Sequence, residues 1–173
     1  MMHQKCILMY QEFDERPRDE MLAGHNEAQR MFEELGRWYG FEPRRQHSRG
    51  FPADGVWLLG SCYGPAFGEL PVVAIEVVAS ESPKTILGSI ATLERVGAAL
   101  GIVLVQEDEI ARRLVRDGAS RADVQAYLAR THAHIDGHLA SVRHRIERWS
   151  FEQLSHAHTL AAQRTQRTGV GAK

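Results

Sequence analysis

Cysteine, lysine and long apolar runs are all scarce in this sequence, and each shortage removes a class of protein. The two cysteines, Cys6 and Cys62, form no C-x-x-C pair. That argues against a disulfide framework or a zinc knuckle, and both read as ordinary part-buried thiols. The longest early apolar run, Cys6 to Tyr10, is too short for a signal-peptide core or a membrane span of about 20 residues. A soluble, cytoplasmic chain with no membrane partner is expected. Neither sign of charge dominates, since 21 Lys and Arg face 22 Asp and Glu. Without a global positive field, any nucleic-acid contact has to use a local basic patch. A Gly-x-Ser-x-Gly elbow, a Walker loop and a Rossmann glycine pattern are all missing, and Cys62 has no evident histidine partner. These gaps argue against several familiar hydrolase, nucleotide-binding and thiol-catalysis designs.

What is present is globular. Hydrophobic residues make up 43% and charged residues 25% of the 173, which suits one domain with one core. Between Asp19 and Tyr39, Leu22, Met31, Phe32, Leu35 and Trp38 recur at helical spacing, with Gly40 as the C-cap. Phe41 to Ser48 and Val56 to Leu59 read as two strands, separated by a Pro-Ala-Asp-Gly turn. After a Gly and Pro-containing loop from Gly60 to Gly68 comes Pro71-Val-Val-Ala-Ile-Glu-Val-Val-Ala79, β-branched and continuous, which predicts a central strand. Ser82 and Pro83 start a helix whose stripe is Ile86, Ile90, Leu93, Val96 and Leu100, ending at Gly101. Ile102 to Val105 is a fourth strand. Strand, helix and strand in this order predict a parallel βαβ crossover.

The most informative residue is Glu76. A carboxylate inside a sheet costs several kcal/mol unless something meets it. Two partners are open: an arginine such as Arg30, or a metal ion shared with a second carboxylate. Asp54, in Phe51-Pro-Ala-Asp-Gly-Val-Trp-Leu58, is the candidate for that second carboxylate, although Ala-Asp-Gly is also an ordinary turn. Two oxygen donors suit Mg²⁺, which completes its shell with water and substrate phosphate.

In its order of elements, the segment from Asp19 to Gln106 resembles the core of the PD-(D/E)XK nucleases, the restriction-endonuclease-like superfamily. The resemblance implies an α/β fold with an αβββαβ core and a metal-dependent nuclease that hydrolyses DNA phosphodiester bonds, with Mg²⁺ or Mn²⁺ as cofactor and DNA as partner. By position, Asp54 and Glu76 become metal ligands, with the Val77 backbone carbonyl as a third. Glu27 on the first helix, or Glu34, becomes a further ligand. The family's lysine, two residues after the Glu, is replaced by Val78. Some members carry that lysine on the following helix, and Lys84, the only lysine between Lys5 and Lys173, takes this role. Arg44, Arg45, His47 and Arg49 form the local basic group for the DNA backbone. The alternative function is a catalytically inactive module of the same fold that serves in DNA binding or assembly.

The chain divides in this reading into a nuclease-like core over residues 1–106, a helical extension over 107–160 and a flexible tail over 161–173. A short helix around Ile110 and Leu114 stops at Asp117-Gly118, and Ser120 with Asp123 starts another. From there Leu128, Ile135, Val142 and Trp149 fall seven residues apart. That is a coiled-coil-like seam, and it predicts a homodimer through these four residues. A long helix lying on its own domain is the other reading, and Asp136-Gly137 invites a kink or break in either. His134 and His138, spaced for zinc, lack the further ligands of a tetrahedral site. The first 42 residues carry a net charge of −4 and residues 141–173 one of +4, which leaves two readings open: the two ends attract each other, or a partner meets the basic end.

Overall fold

A computed structural model describes residues 19–45, 53–60, 70–79 and 82–168. His47 and Arg49, the two cysteines, most of the 60–68 loop and the end of the tail lie outside the described residues, as does the side chain of Leu22. The elements run α1 (Asp19–Trp38), β1 (Glu42–Arg44), β2 (Gly55–Leu58), β3 (Pro71–Val78), α2 (Pro83–Val96), β4 (Leu100–Val105), α3 (Glu107–Arg116), α4 (Arg121–Leu139), β5 (Ile146–Ser150) and α5 (Phe151–Thr168).

The five strands form one mixed sheet in the order β1-β2-β3-β4-β5. The first two pairings are antiparallel and the last two parallel. The 71–79 run is thus the middle strand, paired parallel to β4 as its βα connection predicts. Ser82 caps α2 and accepts a hydrogen bond from the Thr85 amide, with Pro83 in the first turn. The same helix ends earlier than its apolar stripe suggests. Gly97, at φ 65°, caps it through the Leu93 carbonyl, and a left-handed residue there is most cheaply glycine. Leu100 and Gly101 therefore belong to β4, where Gly101 packs beside Ile146.

Strand alternation divides the core into two. Val56, Ala74, Val78, Val103 and Val105 face Ile86, Ile90, Ile110 and Ile135, so α2, α3 and α4 cover one side of the sheet. Trp57, Val73, Ile75, Ile102 and Leu104 face Ala28, Phe32, Leu35, Leu154 and Ala161, so α1 and α5 cover the other. The Trp57 indole donates to the Phe32 carbonyl at 2.9 Å, and the two rings stack at 4.7 Å. A Cβ on Gly55 would come within 2.9 Å of the Phe32 ring. That close approach seats α1 directly on the start of β2, one residue from Asp54.

The C-terminal third corrects the expectation of a helical extension. β5 joins the sheet beside β4, and α5 continues to Thr168 with Ala161 only 3% exposed. Residues after Val105 therefore complete the same core, and the expected tail carries a packed helix. The seven-residue seam does not run along one helix either. Ile135 is fully buried against Val103 and Ile146, Val142 follows the end of α4, and Trp149 lies on β5 against the other cluster. Gly137 breaks nothing, because α4 passes through it under a Ser120–Asp123 capping box.

Candidate functional site

Three parallel strands, β3, β4 and β5, end at one edge of the sheet, and the antiparallel β2 begins there. Open α/β sheets bind ligands beyond the carboxyl ends of their strands. Asp54 precedes β2 at this edge. Gly55 pairs with Ile75, so the register extended by one residue sets Asp54 across from Glu76. The Val77 amide donates to Asp54 Oδ2 at 2.8 Å, tying the carboxylate to β3 at the residue after Glu76. Glu76 is half-buried and lies between Ala74 and Val78 in the alternation, on the α2 side. The sheet thus brings the two predicted carboxylates to neighbouring positions on one edge.

Helix α1 adds a residue that sequence reasoning missed. His25 Nε2 lies 3.4 Å from Asp54 Oδ1. One turn further on, Gln29 Nε2 donates to the Asp54 carbonyl at 3.2 Å. One residue earlier, the Gly24 carbonyl accepts from Gln106 Nε2 at 2.7 Å. Gln106 follows β4 and is 4% exposed. Its Oε1 is buried without a hydrogen-bond partner among the described residues, an acceptor that calls for a donor. The only local signal for this group is the spacing of His25 and Gln29, which puts both on one helix face. Its partners are 25 or more residues away in sequence.

The other candidates are more dispersed. Val78 is fully buried among the α2 contacts, so its position holds packing where the family resemblance calls for a lysine. Lys84 is exposed in the first turn of α2, which starts just beyond β3, and makes no ion pair among the described residues. Glu27 is gripped by Arg30 at 2.6 and 2.9 Å, and the hydrogen bonds from Arg30 hold its carboxyl below the ordinary range. Glu34 meets Arg30 at 2.6 Å and His158 of α5 at 2.7 Å. Partial burial pushes the Glu34 carboxyl up, but the bonds from His158 and Arg30 outweigh it and leave the group lowered. Arg30, one candidate partner for Glu76, is thereby committed to these two glutamates. This contact joins α1 to α5 through a histidine, which the charge count of the two ends leaves out.

Arg44 pairs with Val56 across β1 and β2, so the Arg44-Arg45 end of β1 reaches the Asp54 edge. Both side chains are exposed, with Arg44 on Glu42 at 3.0 Å and Arg45 on Glu33 at 2.9 Å. At the far side of the edge, Arg148 takes both carboxylate oxygens of Asp136 at 2.9 and 3.1 Å. The rings of His134 and His138 meet edge to face at 4.5 Å. His132 approaches Glu107 at 3.1 Å.

Family models, curated proteins and solved structures were all compared with the chain, and none matches it. The chemistry therefore rests on the residues themselves. Among the described residues no group of three or more His, Cys, Asp or Glu side chains is placed to hold a metal ion. Asp54 and Glu76 nonetheless give the edge two carboxylates from adjacent strands, beside a buried acceptor and an imidazole. Carboxylate oxygens are the donor type that hard divalent cations take, and among the described residues only two such groups are placed at neighbouring positions here.

Proposed function

We propose that the chain is a divalent-metal-dependent nuclease that hydrolyses DNA phosphodiester bonds, with a restriction-endonuclease-like core. The observation that carries this reading is the hydrogen bond from the Val77 amide to Asp54, which fixes one carboxylate beside the strand that bears the other. The strand order and the antiparallel, antiparallel, parallel pairing of β1 to β4 support it. Asp54 and Glu76 would hold Mg²⁺ or Mn²⁺, with the Val77 carbonyl as a further oxygen. When bound, the ion supplies Lewis-acid stabilisation of charge on the phosphate. Lys84, projecting from the first turn of α2, neutralises charge that develops as the phosphodiester is cleaved. Arg44 and Arg45 hold the backbone phosphates on either side.

One observation favours a second reading. The position that should carry the lysine is a fully buried valine, so a non-catalytic DNA-binding or assembly module of the same fold is the competing function. Single-turnover cleavage of duplex, single-stranded and branched DNA in Mg²⁺ and in Mn²⁺ separates the two. The nuclease reading expects cleavage by the natural chain and none by Asp54→Asn or Glu76→Gln. DNA binding without cleavage of any form would give the module reading.

A further inference from the structure

β5 is the last strand of the sheet, with β4 on one side and no strand on the other among the described residues. We propose that this edge is the interface for a second copy of the chain, whose β5 pairs with it antiparallel about a two-fold axis at Ile146. The Gly101 amide donates to the Arg145 carbonyl at 2.9 Å. Strand alternation therefore turns the amides and carbonyls of Ile146 and Arg148 away from β4, toward the open edge. Such a row of main-chain groups is a template for another strand. The opposite edge is unlike it, because β1 has three residues with Pro43 in the middle, which blunts pairing.

The side chains select both the occupant and the register. Across a two-fold axis the strand meets itself, and the residue on the axis faces its own copy. An axis at Arg145 or Arg148 sets arginine against arginine, and one at Glu147 sets glutamate against glutamate. An axis at Trp149 or Ser150 needs the Ser150 amide, which already donates to Gln153 Oε1 at 2.8 Å. At Ile146 the axis carries an apolar pair, and Arg145 lies opposite Glu147 of the other copy, twice. The run Arg145-Ile146-Glu147 is thus complementary to itself when read antiparallel. Within one chain Arg145 already reaches Glu147 at 2.6 Å, with its side chain 73% exposed, and pairing exchanges that contact for two between the copies. Arg148 comes opposite His144, with its own charge on Asp136 at 2.9 and 3.1 Å.

Ile146 is buried by its own domain beside Gly101, so the paired isoleucines extend the core on the α2 side across the axis. One short strand pair is a small interface, and a weak, concentration-dependent dimer is expected from it. The competing account is that Arg145 and Glu147 guard the edge of a monomer, since charged side chains also keep strand edges apart. It has the opposite consequence, because removing the guards then promotes association.

The test is sedimentation equilibrium of the full chain over a roughly hundredfold range of concentration, for the natural sequence, Glu147→Arg, and Arg145→Glu combined with Glu147→Arg. The natural chain should approach twice its mass. Glu147→Arg should weaken the dimer at least about tenfold, and the exchanged pair should return it to within about threefold of the natural affinity. Disulfide trapping reads the register without relying on those variants. In a Cys6→Ser, Cys62→Ser background, Arg145→Cys and Glu147→Cys chains would face each other as a non-hydrogen-bonded pair with Cα atoms about 4.5 Å apart, within disulfide reach. Mixing the two should give the mixed disulfide, and either alone should give little. A monomer at every concentration, or stronger association in Glu147→Arg, would overturn the proposal in favour of a guarded edge. A dimer indifferent to both charge variants, or one trapped mainly as Glu147→Cys with itself, would overturn the Ile146 register.

Discussion

The Asp54 carboxylate accepts the Val77 amide at 2.8 Å, so the residue proposed to hold the metal also closes the end of the sheet. Its two roles can be separated. Asp54→Asn keeps an oxygen for the amide and should fold with a stability within about 0.5 kcal/mol of the natural chain, yet lose Mn²⁺ binding. Asp54→Ala strands the part-buried amide and should cost about 1–3 kcal/mol as well. Urea unfolding of the two variants, set beside calorimetry, checks the difference. Equal stability would show that the hydrogen bond contributes nothing net.

Lys84 separates catalysis from mere binding. Lys84→Ala should leave metal affinity and DNA affinity close to normal and slow single-turnover cleavage by at least about 100-fold. Moving the amine to the family position is a poor rescue, because Val78 is fully buried among apolar side chains. Val78→Lys should destabilise the chain by several kcal/mol before it restores any rate. Undiminished cleavage by Lys84→Ala removes this lysine from the mechanism.

Ile135 reads as part of a dimer seam in the sequence and as core in the structure, and one substitution tells them apart. With its side chain fully buried against Val103 and Ile146, Ile135→Glu should cost on the order of 4 kcal/mol and lower the urea midpoint of the single chain. A variant that keeps its midpoint but halves its mass in light scattering would restore the seam.

The Glu34 contact with His158 and Arg30 joins α1 to α5 and gives a pH dependence of defined sign. The Glu34 carboxyl is lowered in the folded chain, so its contribution is complete above the ordinary glutamate value of about 4.3 and is lost as pH falls through the lower folded value. Glu34→Gln should therefore lose about 1 kcal/mol near pH 7, with the gap to the natural chain closing below about pH 4. Urea midpoints measured across that range check it, and a gap that widens in acid would contradict it.

The central strand, the α2 cap and the Ser120–Asp123 start of α4 were legible because each depends on neighbours within a few residues. Glu76 stood out for the same reason, as one charge inside an apolar run. β5 was not legible, because Ile146 to Ser150 carries two charges in five residues and becomes a strand only by pairing with β4. Its regular spacing with Leu128 and Ile135 imitated a heptad, although those residues point into a core that the sheet completes. His25 and Gln106 were hidden by distance along the chain. Their importance comes from α1 lying across the sheet, which tertiary packing decides.

The sheet face under α1 gains its full cover only from α5, where Leu154 and Ala161 pack with Ala28 and Phe32. Roughly 110 residues separate these helices, and chains are synthesised at about 5–20 residues per second, so α1 waits roughly 6–22 s for its partner. During that interval Asp54 and Glu76 already exist, while Leu104, Ile75 and Phe32 are still open to water or to a chaperone. A nascent chain halted before Phe151 would thus carry every proposed metal ligand on a surface that still behaves as sticky and incomplete.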